Sequence, residues 1–473
     1  MQQGRVRKLG DKVFRVPRVM PWSISILEVL KPRARGTLSP FILLYGFVAI
    51  IMVGAVLLVL PIAAKTGQSA SFLTALFTAT SATCVTGLVV VDTGTYWSSF
   101  GQAVILVLIQ VGGLGFMTSA TLLLMALGRR IGLRERLLIG ESMGLERWGG
   151  VVGLAKRIAL FTLLVESVGA LLLYFRFSLE NPMGTAVWKG IFHSVSAFNN
   201  AGLDILGNFR SLADYRGDTT VVLVIAALII LGGISFMVVS DVFRFRRWIR
   251  LSLDSKIVLM ATAILLALGM IVILLTEFSN PDTLGALPWP QKALNAFFHS
   301  VTPRTAGFST IDIGMLADYA LFFIIILMFI GGASGSTAGG VKVNTFGLIA
   351  ATIWSSLRGR QYAGAFGREF RTEQVYRALA LVMLSLGLVA VVVLVLTRTE
   401  KFSFINLLFE TVSAFGTVGL STGITPHLST AGQLIIIATM LAGRLGPLTL
   451  ALSLVQRQRP AAYRYPEDQI RIG

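Results

Sequence analysis

The chain has almost no cysteine, little charge and only three histidines among its 473 residues. Its single cysteine, Cys84, rules out an intrachain disulfide and any cysteine-based metal cluster. Charged residues make up 14% of the chain, where a soluble domain carries about a quarter. There is no Ser-His-Asp set and no zinc-ligand spacing, which argues against an enzyme working within the membrane. Acidic residues are also scarce, 23 against 41 lysines and arginines, for a net charge of +18. A nucleic-acid binder is one reading of that surplus, but the basic residues fall in the gaps between apolar runs. That placement is the positive-inside bias of cytoplasmic loops. The basic start, MQQGRVRKLGDKVFRVPRVM, is followed by neither an apolar h-region nor a small-residue cleavage site. It reads as a cytoplasmic tail and not as a signal peptide.

What the chain has in quantity is apolar sequence: 55% of residues, with a mean hydropathy of +0.77. Phe41–Ala63, Ala103–Leu127, Val221–Val239, Ile257–Leu275, Ala378–Leu396 and Leu434–Val455 each reach the roughly 20 residues that cross a bilayer. The chain is therefore expected to be an all-α polytopic membrane protein in a lipid bilayer.

A short pattern occurs four times: FTATSATCVTGL (Phe77–Leu88), FHSVSAFNNAGL (Phe192–Leu203), FHSVTPRTAGF (Phe298–Phe308) and FETVSAFGTVGL (Phe409–Leu420). The glycines Gly87, Gly202, Gly307 and Gly419 are 115, 105 and 112 residues apart. Before each copy lies a long apolar helix and then a segment too short to span: Ser69–Thr80, Ala186–Ser196, Gln291–Val301 and Phe404–Val412. Short apolar segments favour re-entrant elements. The unit reads as helix, half-helix, loop, helix. The four units are set at 40–130, 155–250, 254–358 and 375–456, between cytoplasmic tails 1–39 and 457–473. Basic residues follow each unit: Arg129 to Arg157, Arg244 to Lys256, Arg358 to Arg377, and Arg457 to Arg471. This places the connections and both termini in the cytoplasm, with the loops opening outward.

The second long helix of each unit carries a glycine pair or its remnant, in Val111–Phe116, Leu231–Phe236, Ile330–Gly335 and Leu441–Gly446. For Gly112, Gly113, Gly232 and Gly233 close helix packing is the expected use. In the third unit alone the helix is expected to break, into Gly331, Gly332, Ala333, Ser334, Gly335, Ser336, Thr337, Ala338, Gly339 and Gly340, ahead of Lys342. Irregular backbone at membrane depth survives only where protein buries it or where it lines a water-filled cavity. The stretch superficially resembles a phosphate-binding loop, but Lys342 follows Val341 and precedes Val343, which breaks that pattern.

Four similar loops can surround one axis as a pseudo-fourfold ring whose carbonyls replace a cation's hydration shell. The candidate filter residues are Thr83, Cys84, Val85, Thr86 and Gly87; Asn199, Asn200, Ala201 and Gly202; Arg304, Thr305, Ala306 and Gly307; and Gly416, Thr417, Val418 and Gly419. The half-helices aim the negative ends of their dipoles at the same point. The third copy is one residue shorter, so the ring is not strictly symmetric. Arg304 is expected behind the filter as a brace. His193 and His299, at equivalent places, are expected to be packed and hydrogen-bonded. Asp92, Asp204 and Asp312 are either a cation-concentrating mouth or ordinary loop charge. Arg444, an arginine in an apolar helix, is a functional candidate. It is a barrier on the axis, a donor to the carbonyls of 331–340, or both.

The four loops, SVTPRTAGF, GGASGSTAGGVK and the terminal YRYPEDQIRIG together resemble the membrane subunits (KtrB) of bacterial Ktr potassium uptake systems, in the Trk/Ktr/HKT superfamily. The resemblance runs from about residue 40 to the end. It implies four M1–P–M2 repeats around a pseudo-fourfold pore in each monomer and a working homodimer. It also implies residence in the bacterial inner membrane and potassium as the permeant ion, with sodium as a further activator. Glycine at all four filter positions is the potassium-type pattern. The segment 331–341 then corresponds to the family's intramembrane gating loop, and Arg444 to its pore arginine. A cytosolic KtrA-like ring carrying ATP or ADP would act on that gate, with no nucleotide site or covalent cofactor on this chain. The competing reading is a sodium- or proton-coupled symporter with alternating access. Such transporters use inverted repeats, whereas units joined only through cytoplasmic connections are parallel.

Overall fold

The computed structural model describes residues 41–115, 151–360 and 362–446. The two expected tails, the basic residues from Arg129 to Arg147, and segments 116–130 and 447–456 of the first and fourth units lie outside the described residues.

The described chain is helical apart from one small antiparallel hairpin, β1 Gly364–Ala365 and β2 Arg368–Glu369. In order, the helices are α1 Phe41–Val59, α2 Phe72–Cys84, α3 Ser99–Leu114, α4 Val151–Phe177, α5 Met183–Phe198, α6 Thr219–Gly233 and α7 Phe236–Phe245. There follow α8 Leu253–Glu277, α9 Trp289–Val301, α10 Asp318–Phe329, α11 Val343–Leu357, α12 Thr372–Thr399, α13 Phe404–Gly416 and α14 Thr430–Leu445. Gly153–Phe177 in α4, and the whole of α8 and α12, are long and apolar enough to cross a bilayer. At 1.5 Å per residue, a 25-residue helix reaches about 38 Å. Helices α2, α5, α9 and α13 have 13 to 16 residues and stop short. The chain is a multi-pass membrane protein.

Helix starts follow their caps. Ser71, Ser98, Ser252, Ser403 and Ser429 each accept a bond from a backbone N–H of the first turn, which satisfies one of the orphan donors there. The short helices α5 and α9 begin after Pro182 and Pro288, where a missing N–H costs nothing.

The apolar run Val221–Val239, expected as one helix, bends by 94° between α6 and α7. The third unit is therefore not alone in breaking its second helix. Gly232 and Gly233 end α6, and Ser235 caps α7 by accepting from the Met237 N–H. Without side chains at the break, the carbonyls of Gly232 and Gly233 are free for another partner, identified below.

The helices pack in a closed order. Helix α3 lies against α5, α6 against α9, α10 against α13, and α14 against α2. Phe77, Phe192, Phe298 and Phe409, the first residue of each repeated pattern, are all fully buried. Lipid is as apolar as these rings, so their contribution is packing rather than exclusion of water.

Candidate functional site

Each short helix ends in the repeated pattern, and the local hydrogen bonding explains the turn that follows. Two residues before each glycine, Val85, Asn200, Thr305 and Thr417 adopt left-handed backbone with φ of 57°, 60°, 73° and 50°. This is the helix-ending conformation in which N–H groups beyond the helix fold back onto its last carbonyls. The Thr86, Ala201 and Val418 N–H groups donate to the carbonyls of Ser81, Ser196 and Ser413, each five residues back, at 2.8 Å. In the third loop Ala306 reaches only four residues back, to Thr302, at 2.9 Å. The missing residue is thus absorbed where Pro303 ends α9 early, and the left-handed position keeps its register against the glycine.

The hydroxyls of Ser81, Ser196, Thr302 and Ser413 complete this turn. Ser81 and Ser413 accept from the N–H of Gly87 and Gly419 at 3.0 and 3.1 Å. Ser196 and Thr302 donate to the carbonyls of Leu203 and Phe308 at 2.6 Å. The sequence reading did not single these residues out. The signal was available: a hydroxyl stands at the fifth position of all four patterns.

The loops then meet. Gly87, Gly202, Gly307 and Gly419 have φ of 97°, 66°, 80° and 90°. A Cβ on Gly87 would lie 2.4 Å from the Ala201 oxygen, one on Gly202 2.5 Å from Ala306, one on Gly307 2.4 Å from Val418, and one on Gly419 2.1 Å from Thr86. Each glycine therefore abuts the carbonyl preceding the next loop's glycine, and the fourth abuts the first. All four glycines line one cavity of about 660 Å³, with Asp204, Arg210, Arg216 and His427 farther round its wall. The backbone conformation and the closed contacts both require glycine here.

The remaining sequence candidates flank this ring. Cys84 is fully buried in an apolar cluster. Asn199 and Arg304, each placed on the turn, point away from the glycines. Arg304 is nearly buried and donates through Nη2 to the Gly331 carbonyl at 3.3 Å. His299 Nε2 pairs with Thr310 Oγ1 at 3.2 Å, and His193 Nδ1 lies 2.7 Å from the Lys189 carbonyl, so both are packed and bonded as expected. The equivalent Glu410, fully buried, accepts from the Thr422 N–H at 3.2 Å, from Thr425 Oγ1 at 3.0 Å and from Ser421 Oγ. Asp92 is a cap: it accepts from the Thr95 N–H at 2.8 Å and the Phe209 N–H at 3.2 Å. Asp312 caps Gly314 in the same way. These two carboxylates are engaged in loop structure. Half-buried Asp204 likewise accepts from the Leu206 N–H at 3.1 Å, and all three carboxylates line the cavity wall.

The segment 331–340 lies against the base of the ring. The Gly331 N–H donates to Val341 at 2.8 Å and the Val343 N–H to Gly332 at 2.9 Å, which closes the segment at its neck. Inside it, Ala333 N–H donates to the freed Gly233 carbonyl at 2.9 Å and Thr337 Oγ1 to that of Gly232 at 3.0 Å. A Cβ on Gly339 would meet Thr417 Oγ1 at 2.0 Å, so the segment touches the fourth loop as well. Arg444 bridges it to α3: Nη1 donates to the Thr337 carbonyl and Nη2 to the Gly112 carbonyl. Lys342 Nζ donates to Ala338. Of the two uses foreseen for Arg444, donation to this segment's carbonyls is present.

The glycine pairs seat the short helices. A Cβ on Gly112 would fall 2.0 Å from the Thr83 oxygen, one on Gly232 1.8 Å from Phe198, and one on Gly443 1.9 Å from Phe415. Because each obstacle is a backbone carbonyl at a helix end, it cannot swing aside. Gly232→Ala is expected to destabilise the protein by about 1–3 kcal/mol, the usual range for overpacking. Thermal unfolding in detergent checks this, and an unchanged melting temperature would contradict the close seating.

Known proteins resemble this chain over most of its length. The TrkH cation transport protein family profile matches residues 22–461. The chain is 45% identical to the Ktr system potassium uptake protein B of Bacillus subtilis, over 92% of this chain and 96% of that one. It is 40% identical to the protein of the same name from Vibrio alginolyticus, over 94% and 96%. It is 41% identical to the potassium/sodium uptake protein NtpJ of Enterococcus hirae, over 94% and 100%. The crystal structure of the potassium transporter TrkH from Vibrio parahaemolyticus superposes with a TM-score of 0.69 at 19% identity, covering 90% of this chain and 86% of that one. With a matched profile over most of its length and the same fold, the chain belongs to the TrkH family of cation transport proteins.

Proposed function

We propose that this chain is the potassium-translocating membrane subunit of a Ktr-type uptake system, with four M1–P–M2 units around a pore contained in one monomer. The observation that carries the reading is the closed cycle of glycine-to-carbonyl contacts among the four glycines that line the 660 Å³ cavity. Carbonyls fixed on such a ring can replace a cation's water shell, and the four short-helix carboxyl ends add negative potential. The filter residues are those of the four loops, 83–87, 199–202, 304–307 and 416–419, with Arg304 as a brace. Potassium is the permeant ion; the potassium/sodium name of the Enterococcus hirae relative keeps sodium as a second ion or activator. Conduction is channel-like, and the packing of each second helix on the next short helix in one rotational sense favours this over a symporter built from inverted repeats.

The segment 331–341 with Arg444 is the gate in this reading. It occludes the path below the ring, and a cytosolic nucleotide-binding ring releases it. The protein works as a homodimer in the bacterial inner membrane with both termini cytoplasmic. The test is potassium flux into liposomes, with the sodium gradient and the nucleotide-loaded partner varied independently. Flux that follows potassium and nucleotide state without sodium supports the channel; strict dependence on a sodium or proton gradient would replace it with the symporter.

The outer wall makes a pH prediction. Loss of hydration pushes the Asp204 carboxyl up to about 7, and the nearby Asp92 adds to the shift. Its charge is present above that pH and lost below it. A single mouth charge is worth about 0.5 kcal/mol in water, or about twofold in local cation concentration. The apparent KM for potassium should therefore rise about twofold as the outside pH falls from 8 to 6. Asp204→Asn should hold it at the higher value throughout; a variant that keeps the wild-type pH profile would remove Asp204 from the mouth.

A further inference from the structure

Behind the second loop lies a polar cluster that the reading above does not use. Glu166, in the middle of α4, is only 6% exposed. Its Oε1 accepts from Asn199 Nδ2 at 2.8 Å and its Oε2 from Gln110 Nε2 of α3 at 3.3 Å. Gln110 Oε1 in turn accepts from Asn199 Nδ2 at 3.1 Å, which closes a triangle. The Val195 carbonyl is a third acceptor for the same nitrogen at 2.9 Å. Three acceptors on one side fix the orientation of the Asn199 amide. Its Oδ1 faces Gly113, where a Cβ would stand at 1.9 Å.

This arrangement is peculiar to the second loop when compared with the third. Ser194 Oγ donates to the Glu166 carbonyl and packs on Gly169; Ser300 Oγ donates to the Leu266 carbonyl and packs on Gly269. Leu266 therefore occupies in α8 the place of Glu166 in α4. A carboxylate is not needed to seat a short helix on its neighbour, because leucine does so one unit later. Burying a carboxylate in an apolar helix is costly unless its oxygens are bonded, and here the bonds lead to the turn residue itself. Asn199 ends α5, Asn200 follows in left-handed backbone, and the next carbonyl, that of Ala201, stands against Gly87.

We propose that Glu166 is a specificity-determining positioning residue: through Asn199 it holds the Ala201 carbonyl against Gly87, and so keeps the spacing of first and second loops that prefers potassium to sodium. The assignment rests on the filter reading of the four loops. It is tested with the full-length chain in liposomes, by measuring potassium and sodium fluxes for Glu166→Leu, Glu166→Gln, Gln110→Leu and Gly202→Ser. Glu166→Leu, which installs the side chain of the third unit, should lower the potassium-to-sodium flux ratio about fivefold, as expected for loss of a buried hydrogen bond. The change should appear mainly in the KM for potassium and little in the maximal rate. Glu166→Gln keeps an acceptor for Asn199 and should stay within about twofold of wild type. A folded Glu166→Leu chain with the wild-type ratio overturns the proposal, and so does a Glu166→Gln chain as impaired as Glu166→Leu. If Glu166→Leu does not fold, Gln110→Leu decides: it should lower the ratio about twofold, and a wild-type ratio overturns the proposal. Gly202→Ser separates the two levels of the argument. If it shifts the ratio while Glu166→Leu does not, the brace alone fails; if it leaves the ratio unchanged, the filter reading fails with it.

Discussion

Replacing Gly87 by serine is expected to lower the preference for potassium over sodium at least about tenfold while leaving cation flux measurable. Two costs coincide at this residue. Its φ of 97° is one that L side chains rarely adopt, and holding a residue with a Cβ there costs about 1–3 kcal/mol. The new Cβ would also stand 2.4 Å from the Ala201 oxygen and 3.2 Å from the Gly202 Cα. Both conflicts are relieved by the same movement, retreat of the second loop from the first. The ring widens on one side, and a carbonyl that should face the ion turns away. About 1.4 kcal/mol corresponds to a tenfold change in an equilibrium constant, so even partial relief of this conflict reaches the expected effect. Flux persists because the other three loops keep their contacts. Ion competition in liposomes reads the ratio directly. A serine chain of normal stability and normal preference would take Gly87 out of the filter. Gly87→Ala should shift the ratio in the same direction, since the Cβ and not the hydroxyl is at fault.

Arg444→Ala is expected to raise potassium flux in the absence of any activating partner by about tenfold. The guanidinium holds the Thr337 carbonyl of the segment 331–340 and the Gly112 carbonyl of α3 together. A hydrogen bond to a charged group contributes about 1.5–3 kcal/mol, enough to move a closed-to-open equilibrium by tenfold or more. Alanine leaves the Thr337 and Gly112 carbonyls without this donor. The neck of the segment, made by Gly331, Val341, Gly332 and Val343, is untouched, so the loop should be loosened and not unfolded. Deleting Ala333–Gly340 should raise flux similarly and add little in the Arg444→Ala background, because both act on one barrier. Unchanged flux in a well-folded Arg444→Ala chain would show that the arginine does not hold the gate, and loss of folded protein would make it a structural brace.

The parts legible in the sequence were those written four times. The recurring Phe and Gly, the short segments before them and the long apolar runs placed the turns and the family to which the chain belongs. The parts that escaped depend on contacts between units, where no repeat helps. The bend at Ile234 lies inside an apolar run that reads as one helix; its cause is the pair of carbonyls taken by Ala333 and Thr337, about a hundred residues later. For Asp92 and Asp312 the sequence left open a cation-concentrating mouth or ordinary loop charge, because it does not display the N–H groups they cap. Ser81, Ser196, Thr302 and Ser413 were visible in the alignment of the four patterns, but serine is common enough in membrane helices that its position carried no weight until the glycine N–H groups and neighbouring carbonyls were located. Glu166 was passed over for the reverse reason. Its counterpart in the third unit is a leucine, so no repeat marks it, and its partners lie 33 and 56 residues away.

The third residue before each glycine is Cys84, Asn199, Arg304 or Gly416: a small thiol, an amide, a cation and no side chain at all. A ring made from four identical chains would have to repeat any one of these choices at every corner, placing four guanidinium groups or four amides around one axis. A single chain is free of that constraint. Its first corner can be packed by apolar neighbours, its second bound to a carboxylate, its third tied to the segment beneath it and its fourth pressed bare against that same segment. The ring can thus be packed against apolar side chains on one side and joined to the segment 331–340 on the other, and a mutation at one corner tunes one corner only.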